Sequence, residues 1–191
     1  MLEMTYQILF LAVPLLFAAI GQGFCIKYDW LHRLKRPLDF GLYFRGKRVF
    51  GDNKTWRGLV INVALCIIGT LFQALLQTHG AVPEWLSLLD YRKNAPIVGL
   101  LLGLGMTIGE LPNSFLKRQL EIPPGKKKAG VPGILFFLFD QVDLVVGIWI
   151  FLYFLLKPSL CFMLWSLALT VMLHVAVSSV GYLLKMRKTV V

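Results

Sequence analysis

Three short polar segments interrupt a chain that is otherwise strongly apolar. They are Gly51-Asp52-Asn53-Lys54-Thr55-Trp56-Arg57-Gly58, Ser114-Phe115-Leu116-Lys117-Arg118 and Asp140-Gln141-Val142-Asp143. Glycines let backbone amides approach phosphate oxygens, lysine and arginine neutralise phosphate charge, and carboxylates bind divalent metals. Together the segments suggest an enzyme that holds a metal and a polyphosphate beside the lipid phase and acts on a phospholipid head group.

The rest of the chain determines where such a site can lie. Of the 191 residues, 57% are hydrophobic, against roughly 45–50% in soluble domains, and the mean hydropathy is +0.69. A membrane-spanning helix needs about 20 mostly apolar residues. Five segments meet this requirement: 5–26, 58–78, 96–116, 133–156 and 159–184. The sequence therefore predicts an all-α integral membrane protein in which residues 1–191 form a single polytopic domain of five transmembrane helices.

The positive charges predict the orientation, because Lys and Arg accumulate in cytosolic loops. Nine lie in 27–57, five in 117–128 and three after residue 184, whereas only Arg92, Lys93 and Lys157 fall on the other side. This bias predicts a cell-membrane protein with its N-terminus outside, its C-terminus in the cytosol and both motif loops on the cytosolic face. The net charge of +10 then reflects topology, and no nucleic-acid partner is expected, since that requires a basic patch on a soluble fold.

The third predicted span carries two pairs of glycines, each four residues apart. They are Gly99 with Gly103 and Gly105 with Gly109. Small residues at this spacing let membrane helices approach closely, so we interpret them as packing surfaces.

The C-terminal end of the same span carries polar residues in place of the packing glycines. Glu110, Asn113, Ser114 and Lys117 follow the spacing i, i+3, i+4 and i+7, which places them on one face of a helix. Pro112 lacks a backbone donor and is expected to kink the helix or end its regular part.

Asp140 and Asp143 share a face of the fourth predicted span, and Asp140 lies about 10 Å from the predicted start of that helix. An ionisable group at this depth costs at least ~2.5–3.5 kcal/mol on insertion scales, so unpaired carboxylates are not expected. A divalent metal would stabilise them. The alternative is a pair of salt bridges to Lys117 and Arg118 that only hold helices together. Glu110 is either a third metal ligand or a carboxylate that positions a lysine.

The loop that precedes the second span is rich in glycine and in positive charge. It is not a Walker A loop, because Asn53 stands where that motif needs a glycine before Lys54. The loop therefore has two interpretations, a specific phosphate-binding segment or a generic basic surface that faces lipid head groups.

These segments together resemble a known family. The segments that carry the resemblance are 48–58, 114–118, Pro124-Gly125 and 140–143. They are similar to those of the CDP-archaeol synthases, a branch of the CTP-dependent phosphatidate cytidylyltransferase group, and the similarity extends over nearly the whole chain with its five-helix plan.

The resemblance implies a reaction and a set of roles. A cytidylyl group would pass from CTP to a lipid phosphate, either an archaeol-type 2,3-dialkylglycerol phosphate or phosphatidate, with Mg²⁺ as cofactor and pyrophosphate as the second product. The residues implied to bind CTP are Gly51, Asp52, Lys54, Thr55, Arg57 and Gly58. Those implied to contact the lipid phosphate are Ser114, Lys117 and Arg118. The implied metal ligands are Asp140 and Asp143, with Glu110 as a third, and the implied catalytic set is Asp140, Asp143, Lys117 and Arg118.

Two other functions compete with this interpretation. A CDP-alcohol phosphotransferase would carry an Asp-Gly-x-x-Ala-Arg motif, which does not occur here. A non-enzymatic transporter or lipid-handling subunit remains the alternative, although the sequence shows no paired repeats of the kind that transporters carry. The sequence leaves the oligomeric state and the chains of the lipid open.

Overall fold

The computed structural model describes residues 1–123 and 131–183 and is mostly helical. Its helices are α1 Leu2–Lys27, α2 Trp56–Thr78, α3 Tyr91–Gly109, α4 Leu111–Gln119, α5 Val131–Leu152 and α6 Leu160–Leu183. Strands β1 Tyr43–Phe44 and β2 Lys47–Arg48 lie between α1 and α2, and single 3₁₀ turns occur at His32–Leu34 and Glu84–Leu86. Pro124, Gly125 and the cations of 126–128 and of the tail after residue 184 lie outside the described residues.

The helices confirm the membrane class. Three segments within the described residues are long and apolar enough to cross a bilayer, namely α1, α2 and Glu84–Gln119, which contains α3 and α4. Shorter apolar stretches occur in α5 and α6, at Val142–Leu152 and Leu160–Ala176. The count of five spans therefore stays a prediction.

Two of the predicted boundaries differ from the structure. Segment 96–116 lies within the membrane-length segment Glu84–Gln119, but its helix is divided, since α3 ends at Gly109 and α4 begins at Leu111. Pro112 lies in the first turn of α4, where its missing N–H breaks no helical hydrogen bond, so the expected break at this proline is confirmed. The predicted segment 133–156 extends past the helix, because α5 ends at Leu152.

The glycines of α3 pack against two neighbouring helices, as predicted. A Cβ on Gly103 would lie 2.5 Å from the Cα of Val63 in α2, and a Cβ on Gly109 would lie 2.7 Å from the carbonyl oxygen of Asp143 in α5. On the α5 side the contact is also with Gly147, whose own Cβ would lie 2.5 Å from the Cα of Gly109. Only glycines allow this approach, and it brings Asp143 beside the junction of α3 and α4.

Polar side chains inside the bundle find partners across helices. In the α2–α3 interface the buried amide of Asn62 donates from Nδ2 to Thr107 Oγ1 at 3.1 Å. Thr70 Oγ1 donates to the carbonyl of Ala95 at 2.8 Å. Such bonds hold membrane helices together where apolar burial gives no driving force.

The hairpin formed by β1 and β2 carries the first polar loop onto α4. Its turn residues Arg45 and Gly46 both have positive φ, 50° and 77°, as a two-residue type I′ turn requires. The Phe44 ring lies 5.7 Å from that of Phe115, and Lys47 Nζ donates to the Gln119 carbonyl at 2.7 Å. The tertiary structure thus joins the loop of residues 28–55 to the segment that contains Ser114, Lys117 and Arg118.

Candidate functional site

A single buried carboxylate organises the loop before α2. Asp39 is 3% exposed, and its Oδ1 accepts hydrogen bonds from the Gly41 N–H at 3.0 Å and from Arg48 at 2.9 Å. Its Oδ2 accepts from the N–H groups of Phe50 at 2.8 Å and Gly51 at 3.1 Å. Burial raises the pKa of Asp39, but hydrogen bonds from these four donors lower it by more, so the pKa lies below its ordinary value. The backbone at Gly51, with φ of 84°, is therefore held by a charged anchor.

Sequence reasoning missed Asp39. It stands alone among apolar residues and glycines, without the spacing that identifies a helix face or a metal site. Its four donors come from positions 2 to 12 residues later in the chain, and only the folded loop brings them together.

The guanidinium of Arg48 connects this anchor to the first motif segment. Arg48 pairs with Asp39 and, at 2.9 Å, with Asp52, and the two carboxylates raise its pKa against the lowering effect of burial. The Asp52 side chain is 72% exposed and lies close enough to Arg118 to interact electrostatically. The predicted CTP-binding residue Asp52 is thus at the surface, facing the second motif segment.

Two other predicted CTP-binding residues pair with each other at the start of α2. Thr55 is the N-cap, and its Oγ1 accepts a hydrogen bond from the Gly58 N–H at 3.2 Å. This cap stabilises the first turn. The Trp56 N–H of that turn donates to the Arg36 carbonyl at 3.0 Å, and the helix dipole gives this end of α2 a positive character suited to an anion.

Lys54 joins the first segment to the α3–α4 junction. Its ammonium forms an ion pair with Glu110, and both side chains are partly buried. This contact is the one expected if Glu110 positions a lysine, and its role as a metal ligand stays a prediction.

Arg57, also predicted to bind CTP, lies in different surroundings. It is 7% exposed, and its Nη1 donates to Asp29 Oδ1 at 2.7 Å and to the Trp30 carbonyl at 3.4 Å. Hydrogen bonds from His32 and then from Arg57 lower the pKa of Asp29. Arg57 thus ties the first turn of α2 to the chain that follows α1, and the hydrogen bonds described for it do not reach the other two motif segments.

The two aspartates of α5 meet a single amide of α4. Asn113 is buried, and its Nδ2 donates to Asp140 Oδ1 at 2.6 Å and to Asp143 Oδ2 at 2.8 Å. Lys117, one turn further along α4, forms an ion pair with Asp140. Within the described residues the other oxygen of Asp143, Oδ1, is buried and has no hydrogen-bond partner.

The two other residues predicted at the lipid phosphate have backbone partners. Ser114 is buried and its Oγ donates to the Glu110 carbonyl at 2.9 Å. Arg118 donates from Nη1 to the Ile122 carbonyl, and its Nε is buried without a partner among the described residues. Within the part of the chain that the structure describes, Lys117 is the member of the predicted lipid-phosphate set that pairs with an aspartate. Of the two salt bridges in the alternative interpretation, the described residues show the one between Lys117 and Asp140 and none for Arg118.

The aspartates have the chemistry that Mg²⁺ prefers. Oxygen ligands suit this metal, which usually binds one or two carboxylates together with water and substrate phosphates. The unpaired Asp143 Oδ1 is an acceptor without a donor, and its neighbour Asp140 is three residues away on the same helix face. No group of three His, Cys, Asp or Glu side chains suited to a metal occurs in 1–123 or 131–183.

Known proteins similar to this chain share one function. The CDP-archaeol synthase of Methanosarcina barkeri is 32% identical over 164 residues, which cover 80% of this chain and 89% of that protein. That of Methanoculleus marisnigri is 34% identical over 154 residues, covering 76% and 84%. That of Pyrococcus furiosus is 41% identical over 96 residues, covering 50% and 52%.

A solved structure shares the fold. It is described as an intramembrane enzyme for archaeal membrane lipids biosynthesis, and it aligns with a TM-score of 0.62 over 88% of this chain and 90% of its own, at 22% identity. The family described as CarS-like, CDP-archaeol synthase, matches residues 2–191. Because that match covers nearly the whole sequence, the chain belongs to the CDP-archaeol synthase family.

Proposed function

We propose that this protein transfers CMP from CTP to a dialkylglycerol phosphate of the archaeol type in the membrane, producing a CDP-lipid and pyrophosphate. The observation that carries the proposal is the meeting of Asp140 and Asp143 at one amide of α4, with Lys117 paired to the first of them. This arrangement supplies negative oxygen ligands and a cation side by side at a membrane helix.

Membership of the family makes the chain an enzyme, a CTP-dependent cytidylyltransferase. The alternative of a non-enzymatic transporter or lipid-handling subunit therefore has no support. The archaeol-type lipid is our choice over phosphatidate because the similar proteins are named for archaeol.

The reaction depends on stabilisation of negative charge more than on proton transfer. An oxygen of the lipid phosphate attacks the α-phosphorus of CTP, forming a new P–O bond while the bond to the β-phosphate breaks and pyrophosphate leaves. The attacking phosphate monoester is already ionised near neutral pH, so positioning can carry much of the rate without a general base. Mg²⁺ held by Asp140 and Asp143 would polarise the phosphates and neutralise their charge.

The protein's own cations complete the site. Lys117 lies beside Asp140, and Lys54 is held at the α3–α4 junction by Glu110. Both can offset the charge that develops on the phosphoryl oxygens. The helix dipole at the first turn of α2, which Thr55 caps, favours an anion there. For Arg57 we propose a supporting role through Asp29 in place of direct contact with CTP.

We also propose the five-span topology, with the N-terminus outside and the polar segments on the cytosolic face, where CTP is available. The support for this is the distribution of Lys and Arg, which favours the cytosol for 27–57 and 117–128.

The experiment is a reconstituted assay with labelled CTP. Purified protein should release pyrophosphate and form a CDP-lipid only when CTP, a divalent cation and a lipid phosphate are all present, and a dialkylglycerol phosphate should give a higher kcat/KM than a diacyl phosphatidate. Pyrophosphate release without lipid would indicate a nucleotidase and overturn the proposal, and a preference for phosphatidate would overturn the choice of lipid.

A further inference from the structure

The amide of Asn113 occupies a place that the reaction does not by itself explain. It is buried at 7% exposure, and its nitrogen lies 2.6 Å from Asp140 Oδ1 and 2.8 Å from Asp143 Oδ2. An amide nitrogen carries two hydrogens, and each one is here directed to a different carboxylate. From this geometry we infer that Asn113 is a positioning residue that sets the orientation of both aspartates for metal binding, an inference that rests on the proposed function.

The hydrogen-bonding capacity of the amide and the two carboxylates permits one orientation of the amide. Ionised carboxylates only accept hydrogen bonds, so the side of the amide that faces them must be its NH₂ group. Two negative groups three residues apart on one helix repel each other, and the shared donor offsets this repulsion while fixing one oxygen of each carboxylate. Because the amide is buried, water has little access to replace it.

The hydrogen bonds to the two aspartates determine which carboxylate oxygens remain available to a metal. Asp140 Oδ1 is bound by the amide and by Lys117, and Asp143 Oδ2 is bound by the amide. Asp143 Oδ1 is then left buried and unpaired within the described residues. A ligating carboxylate whose other oxygen is hydrogen-bonded keeps its orientation, and loss of such outer partners typically lowers metal affinity about 10–100-fold.

The structure offers a matched control in Asn62. This residue is also a buried asparagine, at 6% exposure, and it also donates from Nδ2 across two helices, but to Thr107 and not to a carboxylate. Its amide serves the packing of α2 on α3. Replacement of either asparagine by leucine removes a buried cross-helix amide of the same size.

The test measures metal binding in the absence of CTP and lipid. Mn²⁺ is titrated into detergent-solubilised full-length protein and detected by electron paramagnetic resonance, for the wild type, Asn113→Leu and Asn62→Leu. We expect Asn113→Leu to weaken Mn²⁺ binding about 10–100-fold, and Asn62→Leu to bind as the wild type does even where its thermal midpoint falls. If Asn113→Leu does not fold, Asn113→Ala removes the amide without placing apolar atoms against the carboxylates.

Equal Mn²⁺ affinity in the wild type and the folded Asn113 variant would overturn the inference. An equal loss of Mn²⁺ affinity in Asn62→Leu would also overturn it, because that would show a general effect of destabilisation. Failure of the proposed metal site would give a different result. In that case the wild type would show no Mn²⁺ binding that is lost in Asp140→Asn.

Discussion

Replacement of Asp39 by asparagine tests whether one buried carboxylate holds the loop before α2. The two oxygens of Asp39 accept from four donors. In Asp39→Asn one oxygen becomes an NH₂ group, which faces two of these donors and leaves them unpaired. A buried unpaired donor costs about 1–3 kcal/mol, and loss of the charge opposite Arg48 adds to this, so we expect the loop to lose about 3–5 kcal/mol, the range for breaking a buried ion pair.

Such a loss opens the loop without unfolding the bundle, because the core contacts of α2, α3 and α5 lie elsewhere. Since 1.4 kcal/mol is a factor of ten, 3 kcal/mol raises the population of the open loop about 100-fold. Limited proteolysis between residues 28 and 55 should accelerate accordingly, whereas kcat/KM for CTP should fall only in proportion to the fraction of molecules whose loop remains closed.

Asp52→Asn is the control for proteolysis. Asp52 pairs with the same Arg48, but its side chain is 72% exposed, and an exposed ion pair contributes at most about 1 kcal/mol. If Asp39→Asn keeps the protease resistance and the CTP dependence of the wild type, the loop is held by other contacts and the reasoning is wrong.

The same carboxylate predicts a dependence on pH. The folded-state pKa of Asp39 lies below its ordinary value, so the unfolded loop binds the proton more readily than the folded loop. The stabilisation is fully present above the unfolded-state pKa of about 3.9, and it is lost as the pH falls through the lower folded-state pKa. Protease sensitivity of the loop should thus rise only in that acidic range in the wild type, and Asp39→Asn should lack this dependence.

Three further predictions concern the rest of the site. Asp140→Asn should lower turnover at least ~10²-fold while the protein stays folded by size exclusion and thermal unfolding; low yield with near-normal specific activity would instead support a purely structural salt bridge. Lys54→Ala should impair CTP-dependent turnover far more than the double change Lys35→Gln/Arg36→Gln, measured at matched expression, whereas losses in proportion to charge would indicate a generic basic surface. Gly147→Ala should lower the free energy of unfolding by about 1–3 kcal/mol, and with it the thermal midpoint, because its Cβ would lie 2.5 Å from the Gly109 Cα; an unchanged midpoint would mean that α3 and α5 separate freely.

The sequence by itself was sufficient for the class of protein, the family and the positions of α1 and α2. Apolar runs of about 20 residues are a local property, and they locate α1 and α2 to within a few residues. The spacing of glycines in α3 is local as well, and its packing function is confirmed. Pro112 acts through its own missing donor, so its break in the third span was also predictable.

Only the tertiary structure decided which polar residues meet. Asn113 reaches Asp140 and Asp143, 27 and 30 residues away, because the close packing of α3 on α5 places α4 against the aspartates. Periodicity predicts that Asn113 lies on the polar face but does not encode the opposing helix. Arg57 lies in a motif that suggests phosphate binding, yet its guanidinium pairs with Asp29, 28 residues earlier. Such pairings depend on how helices and loops are placed relative to one another, and that placement is set by contacts throughout the fold, not by the local spacing of residues.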